Sequence, residues 1–133
     1  MKKLFTILGL LFFAGIALAQ SSSTYYPVSF RHGVFLRSES GVYTLRFQED
    51  GNLVLYKNKT KPIWASQTSG RQTRSLIFQD DGNLVIYDAN KNAVWSSNSH
   101  GKGGSYITLQ NDGNLVIYTY QNKPVWASDT GGL

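Results

Sequence analysis

The stretch Gln48-Glu49-Asp50-Gly51-Asn52-Leu53-Val54-Leu55-Tyr56 recurs as Gln79-Asp80-Asp81-Gly82-Asn83-Leu84-Val85-Ile86-Tyr87. It returns once more as Gln110-Asn111-Asp112-Gly113-Asn114-Leu115-Val116-Ile117-Tyr118. Each step is 31 residues, and Trp64, Trp95 and Trp126 keep the same beat within Ile-Trp-Ala-Ser, Val-Trp-Ser-Ser and Val-Trp-Ala-Ser. A fixed period of this length marks a repeated supersecondary unit that cannot bury its apolar face alone. Tyr43-Thr44-Leu45-Arg46-Phe47 alternates apolar with polar, and Ser75-Leu76-Ile77-Phe78 does so less cleanly. The motif itself ends in β-formers, a short strand surrounds each Trp, and Gly33-Val34-Phe35-Leu36-Arg37 supplies another. No stretch has a helical period, so the chain is all-β.

Side-chain parity sets the turn. A two-residue loop at Asp50-Gly51 would pair Phe47 with Val54 and mix buried with exposed faces. A three-residue loop, Glu49-Asp50-Gly51, pairs Gln48 with Asn52, Phe47 with Leu53 and Leu45 with Leu55. One face then carries Leu45, Phe47, Leu53 and Leu55; the other carries Gln48, Asn52, Val54 and Tyr56. Such a loop places a left-handed residue where Gly is preferred. The parity repeats for Leu76, Phe78, Leu84 and Ile86, and for Ile107, Leu109, Leu115 and Ile117. Three equal units of this kind, with no capping repeat, close around a pseudo-threefold axis. Trp64, Trp95 and Trp126 are expected there as large buried core anchors.

Residues 1–19 read as a secretory signal: Met1-Lys2-Lys3, an apolar run from Leu4 to Leu18, and a small-x-small Ala17-Leu18-Ala19. Fifteen apolar residues are short of the roughly 20 of a membrane span. Cleavage after Ala19 leaves one domain, 20–133, with three 31-residue repeats. Loss of Lys2 and Lys3 takes the formal charge from +5 to +3. With no Lys/Arg run, neither a nucleic-acid partner nor a membrane span is expected. The expected location is extracellular or periplasmic. The chain has no Cys, so packing alone holds it.

The face turned away from the core carries the functional signal. Folding at Glu49-Asp50-Gly51 sets Gln48 beside Asn52, with Asp50 at the rim and an exposed Val54 and Tyr56 along the same surface. A carboxylate, two amides, a phenol and a small apolar patch suit a sugar, whose hydroxyls donate and accept while its C–H face is apolar. Asp, Gly and Asn are ordinary turn residues, and Val and Tyr ordinary strand residues. Gln has no such reason, yet it fills the same place three times while the intervening segments diverge.

Gln-x-Asp-x-Asn-x-Val-x-Tyr, three times at this period with a Trp segment after each, resembles the monocot mannose-binding (bulb-type) lectin family over roughly Val34 to Gly132. The resemblance implies the β-prism II fold, three antiparallel sheets about a pseudo-threefold axis. It implies that Asp and Asn bond the axial 2-hydroxyl of mannose, Gln the 3-hydroxyl and Tyr the 4-hydroxyl, with Val against the ring. The implied sites are Gln48, Asp50, Asn52, Val54 and Tyr56; Gln79, Asp81, Asn83, Val85 and Tyr87; and Gln110, Asp112, Asn114, Val116 and Tyr118. Mannose-containing glycans or polysaccharides are the implied partners. The resemblance also admits a homodimer formed by exchange of the tail Ala127–Leu133. Many plant members carry a disulfide where this chain has Gly51 and, approximately, Ser75.

Four or five hydrogen bonds on an open surface correspond to about millimolar binding per monosaccharide, so useful avidity comes from several sites on one body. No cofactor, metal or catalytic residue is expected. His32 and His100 lie outside the repeat with no evident partner, and the acids match no calcium-loop spacing. The alternative function is a bacteriocin-like antimicrobial module that uses sugar binding to find its target; such proteins usually carry two of these domains, and this chain has one.

Overall fold

The three-residue hairpin is present in every repeat. Gln48 N–H donates to Asn52 C=O at 2.8 Å, and the matching bonds Gln79–Asn83 and Gln110–Asn114 are each 2.9 Å. Gly51, Gly82 and Gly113 close the loops at φ 98°, 86° and 94°, a conformation that costs a side chain but not glycine. The register is the one parity requires: Leu45 faces Leu55 and Phe47 faces Leu53, Leu76 faces Ile86 and Phe78 faces Leu84, Ile107 faces Ile117 and Leu109 faces Leu115.

The chain's structure is a computed structural model that describes residues 23–133; the expected signal at 1–19 lies outside the described residues. In order, the strands are β1 (Thr24–Tyr25), β2 (Val28–Phe30), β3 (Gly33–Arg37), β4 (Tyr43–Phe47), β5 (Leu53–Lys57), β6 (Lys61–Ala65), β7 (Thr73–Phe78), β8 (Leu84–Asp88), β9 (Ala93–Ser96), β10 (Gly104–Leu109), β11 (Leu115–Thr119) and β12 (Pro124–Ala127). They form three four-stranded antiparallel sheets, β3-β4-β5-β6, β2-β7-β8-β9 and β1-β10-β11-β12. Each repeat supplies three strands of one sheet. The N-terminal arm supplies the fourth strand of all three, in reverse order, β1 to the third sheet and β3 to the first. The strands β1 and β2 extend the sequence reading, which placed only Gly33–Arg37 in this region.

The inner faces meet in one cluster that includes Leu36, Leu45, Phe47, Leu53, Leu55, Leu76, Phe78, Leu84, Ile86, Ile107, Leu109, Leu115 and Ile117, all buried. Each such side chain stabilises the fold by roughly 1.5–3 kcal/mol on leaving water. The three Trp rings pack on this cluster in a triangle, with centroids 5.6, 5.9 and 6.1 Å apart and interplanar angles of 72–77°. Every pair is edge-to-face, the arrangement that aromatic quadrupoles favour. They pack against the core, as expected of large anchors, and are partly buried. Three indoles about one axis are too large for all to be covered, in keeping with the rarity of wholly buried Trp.

The repeats also interlock at the hairpin tips. A Cβ on Gly51 would lie 2.3 Å from Arg71 O, one on Gly82 3.0 Å from Gly104 N, and one on Gly113 2.7 Å from the Tyr43 ring. Each tip therefore abuts the start of the next repeat, and the third returns to the first. Asn111 Oδ1 accepts the Ser40 N–H at 2.8 Å across that closing joint. No helix among the described residues is long and apolar enough to cross a membrane.

Candidate functional site

Each hairpin presents its polar residues on the outer side of its sheet. Gln48 leaves β4, Asp50 stands at the loop tip, Asn52 enters β5, and Val54 and Tyr56 follow on that strand. Asp50 Oδ1 accepts the backbone N–H of Asn52 at 2.9 Å, and Asp81 and Asp112 do the same for Asn83 and Asn114 at the same distance. These local bonds hold the carboxylate over the turn. The Asn52 N–H, with smaller contributions from Gln48 and Ser69 and against partial desolvation, keeps the Asp50 carboxyl below its ordinary pKa.

Gln bridges Asp and Tyr in the first two motifs. Gln48 Nε2 donates to the Asp50 oxygens at 3.1–3.2 Å, and Gln79 Nε2 to those of Asp81 at 3.2–3.3 Å. The Tyr56 and Tyr87 hydroxyls donate to Gln48 Oε1 and Gln79 Oε1. In the third repeat the amide is turned over, and Gln110 Nε2 donates to the Tyr118 oxygen. The structure thus brings Gln, Asp, Asn and Tyr of each motif into one constellation.

The orientation of the Asn amides is fixed from behind. Asn52 Oδ1 accepts from Ser66 Oγ at 3.2 Å and from Thr68 N–H at 3.1 Å. Asn83 Oδ1 accepts from Ser97 and Ser99, and Asn114 Oδ1 from Ser128 and Thr130, in the same way. With the oxygen satisfied twice, Nδ2 is the group left to face solvent as a donor. The supporting Ser also accepts the next Leu N–H at 3.0 Å in all three copies. Thr68, Ser99 and Thr130 return a bond to the hairpin Gly carbonyl at 2.6–2.8 Å. This Ser-x-Ser/Thr shelf is the part that sequence reasoning missed. Its signal was available: Ser66, Ser97 and Ser128, then Thr68, Ser99 and Thr130, keep the 31-residue beat behind each Trp.

The Val positions are a correction. Val54, Val85 and Val116, expected as exposed, are 4%, 2% and 2% accessible. They do point away from the inner cluster, but each sits on the third strand of its four-stranded sheet, with a partner on either side. Val54 lies between Arg46 and Ala65, Val85 between Ile77 and Ser96, and Val116 between Thr108 and Ala127. A short side chain on an inner strand, flanked on both sides, stays below the outer surface and forms a floor.

His32 belongs to the frame of the first site. Its ring packs 4.5 Å from Phe47, its Nε2 lies 3.1 Å from Thr73 Oγ1, and its Nδ1 lies 3.9 Å from Glu49 at the hairpin tip. The tail also folds onto its own chain: Gly132 N–H donates to Asp112 C=O at 2.7 Å, and the Tyr43 hydroxyl to Leu133 C=O at 2.6 Å.

One polar motif presented three times on the outer faces of a three-sheet prism is the arrangement of a lectin. The chain belongs to the D-mannose binding lectin family, whose sequence profile matches residues 31–101 and 70–131. Among solved structures it is similar to the lectin of Marasmius oreades, 32% identical, with 86% of this chain and 95% of that one covered and a TM-score of 0.75. It is likewise similar to a monomeric monocot mannose-binding lectin from Gastrodia elata, at 39% identity, 83% and 99% coverage and a TM-score of 0.74. The mannose-specific agglutinin of snowdrop (Galanthus nivalis), complexed with methyl α-D-mannoside, is 40% identical over 73% of this chain and 89% of that one, with a TM-score of 0.65. The fold is the β-prism II of these bulb-type lectins. No curated protein sequence matches the chain.

Proposed function

We propose that this chain is a secreted, non-catalytic lectin that binds mannose-type glycans at three sites on one rigid body. The observation that carries the reading is the triplicated Asn amide, its oxygen held by the Ser-x-Ser/Thr shelf and its Nδ2 presented beside an Asp carboxylate. A donor and an acceptor side by side suit one sugar hydroxyl, which takes part in both kinds of bond. In this reading Asp and Asn hold the axial 2-hydroxyl, Gln the 3-hydroxyl and Tyr the 4-hydroxyl, and Val is the apolar floor under the ring. The similar snowdrop lectin is itself a complex with methyl α-D-mannoside. Three sites give avidity for branched glycans without a second copy of the chain. A homodimer would double it, and sedimentation of the mature protein separates the two states.

Titration with methyl α-mannoside is expected to perturb three sites, each with an affinity of about millimolar. Asn83→Ala should remove one site and leave the other two, the fold unchanged by circular dichroism. A chain with Asp50, Asp81 and Asp112 all replaced by Ala that still bound mannan would sink the assignment.

A further inference from the structure

The three sites share their motif but not its surroundings, and the first is unlike the others. Beside it, on the outer face of β3, β4 and β5, is a hollow of about 210 Å³ lined by Arg37, Thr44, Arg46, Tyr56 and Lys59. Three of these five residues are cations and none is acidic. Arg46 and Lys59 make no ion pair among the described residues. Register explains the gathering: Arg46 lies opposite Val54, Thr44 opposite Tyr56, and Arg37 opposite Thr44. The same positions in the second sheet hold Ile77 and Ser75, and in the third Thr108 and Tyr106. A hollow does lie beside the second site, and Arg74 and Lys91 are among its walls, but so are Ile77 and the carboxylate of Asp88, which offsets one of those charges and repels an anion.

The fold does not ask for these charges. Ile77 and Thr108 show that a strand of this prism accepts an uncharged residue at the Arg46 position. Lys59 adopts φ 72°, left-handed backbone where Gly or Asn would sit with less strain. The like charges of Arg46 and Lys59 repel across the hollow, and an anion there relieves the repulsion. Guanidinium groups bind carboxylate, phosphate or sulfate through paired N–H donors. Tyr56 belongs both to the hollow and to the first motif, so a saccharide seated on the motif meets the cations at its Tyr56 end.

We infer that the first site, and not the second or third, takes mannose-type saccharides that bear an anionic group, a phosphate or a carboxylate, with the anion in the Arg37–Arg46–Lys59 hollow. The inference rests on the sugar-binding reading of the motif and adds a ligand class to one of its sites.

The test uses the mature chain with Asn83→Asp and Asn114→Asp. These changes keep the Oδ acceptor for the Ser-x-Ser/Thr shelf, replace the outward donor and turn anions away from the second and third sites. Methyl α-mannoside, mannose 6-phosphate, mannuronate and inorganic phosphate are titrated in turn at low and high salt. At low salt, mannose 6-phosphate or mannuronate should bind about tenfold more tightly than methyl α-mannoside, as expected for one or two charge-assisted bonds. The two probes separate phosphate from carboxylate as the preferred anion, and either preference supports the inference. The advantage should shrink at high salt, where exposed charges are screened. Arg46→Ile, the second sheet's own residue, and Lys59→Gly, which relaxes the turn, should each cut the advantage severalfold and leave methyl α-mannoside binding unchanged.

Anionic and neutral sugars binding equally would overturn the inference while the sugar-binding reading survives. Inorganic phosphate binding as tightly as mannose 6-phosphate would overturn the coupling to sugar. No binding by any saccharide would defeat both. If the double Asn variant does not fold, the same comparison is read in the unaltered chain from the amide shifts of Asn52 and Tyr56.

Discussion

The first and third sheets have the same hairpin, the same Ser-x-Ser/Thr shelf and the same five motif residues, yet they offer a ligand different surroundings. Beside Tyr56 are Thr44 and the cations of the first sheet. Beside Tyr118 is Tyr106, stacked on it at 5.4 Å and 24°, with Tyr26 of the arm 6.1 Å further on. The pattern shows which positions the architecture dictates and which it leaves free. Inward residues and the motif are held by packing and hydrogen bonds to their neighbours. The outward residues of β4 and β10 vary, Thr44 and Arg46 against Tyr106 and Thr108, so the first site is bordered by cations and the third by stacked rings.

The largest test of this comparison concerns the tips, where the two sheets differ in what they abut. A Cβ at position 51 meets the Arg71 carbonyl and the Thr68 carbonyl, both backbone. A Cβ at position 113 meets chiefly the end of the Tyr43 side chain, at 2.7 Å, with the Thr130 carbonyl further off at 3.2 Å. Both changes force a side chain into left-handed backbone and add overpacking, together about 2–5 kcal/mol. Gly51→Ala should destabilise more than Gly113→Ala, because backbone cannot move aside as a ring can. Urea unfolding of the two variants gives the order directly, and equal midpoints would mean that the tips are not the joints between repeats.

A middling effect is expected at the rings. Tyr106→Ala removes a stacking partner from Tyr118, an interaction of about 0.5–1.5 kcal/mol. Sugar affinity at the third site should fall by a few fold while the first site is untouched, as read from site-resolved chemical shifts. Loss at both sites would show that the surroundings are not independent.

The smallest effect is with pH. The Asp50 carboxyl is held below its ordinary value chiefly by the Asn52 N–H. A depressed folded pKa means that its contribution is complete above the unfolded value, about 3.9, and is lost as pH falls through the folded value. Methyl α-mannoside binding at the first site should therefore be level from pH 7 to about 5 and decline only below about 4. A decline that began well above pH 5 would show that the Asp50 carboxylate does not govern binding at this site.

The hairpin register, the three-residue loop and the clustering of the Trp residues were legible because a period-2 pattern leaves one choice that keeps Leu45, Phe47, Leu53 and Leu55 together. Burial of Val54 was not legible. It depends on the residues across the strand on both sides, and one hairpin's parity shows only one of them. The Ser-x-Ser/Thr shelf was written at the full 31-residue period but resembles ordinary loop composition until Asn52 Oδ1 is seen to need its donors. The strands β1 and β2, two and three residues long, are too short for any periodicity to reveal. The hollow of the first site was invisible for a related reason. Arg37, Arg46 and Lys59 are scattered in the chain, and only the pairing of β3 with β4 and β4 with β5 assembles them.

The arm has a consequence for the order in which the molecule can be assembled. Thr24, in the first strand, pairs with Thr108, 84 residues later. On a ribosome adding about 5–20 residues per second, that separation is roughly 4–17 s of synthesis. Until β10 emerges, β1 has no partner, and the opposite edge of its future sheet does not exist. Contacts of such span slow folding, and an unpaired strand edge is a template for association with another chain. Among the described strands, the earliest to be made is among the last to be secured.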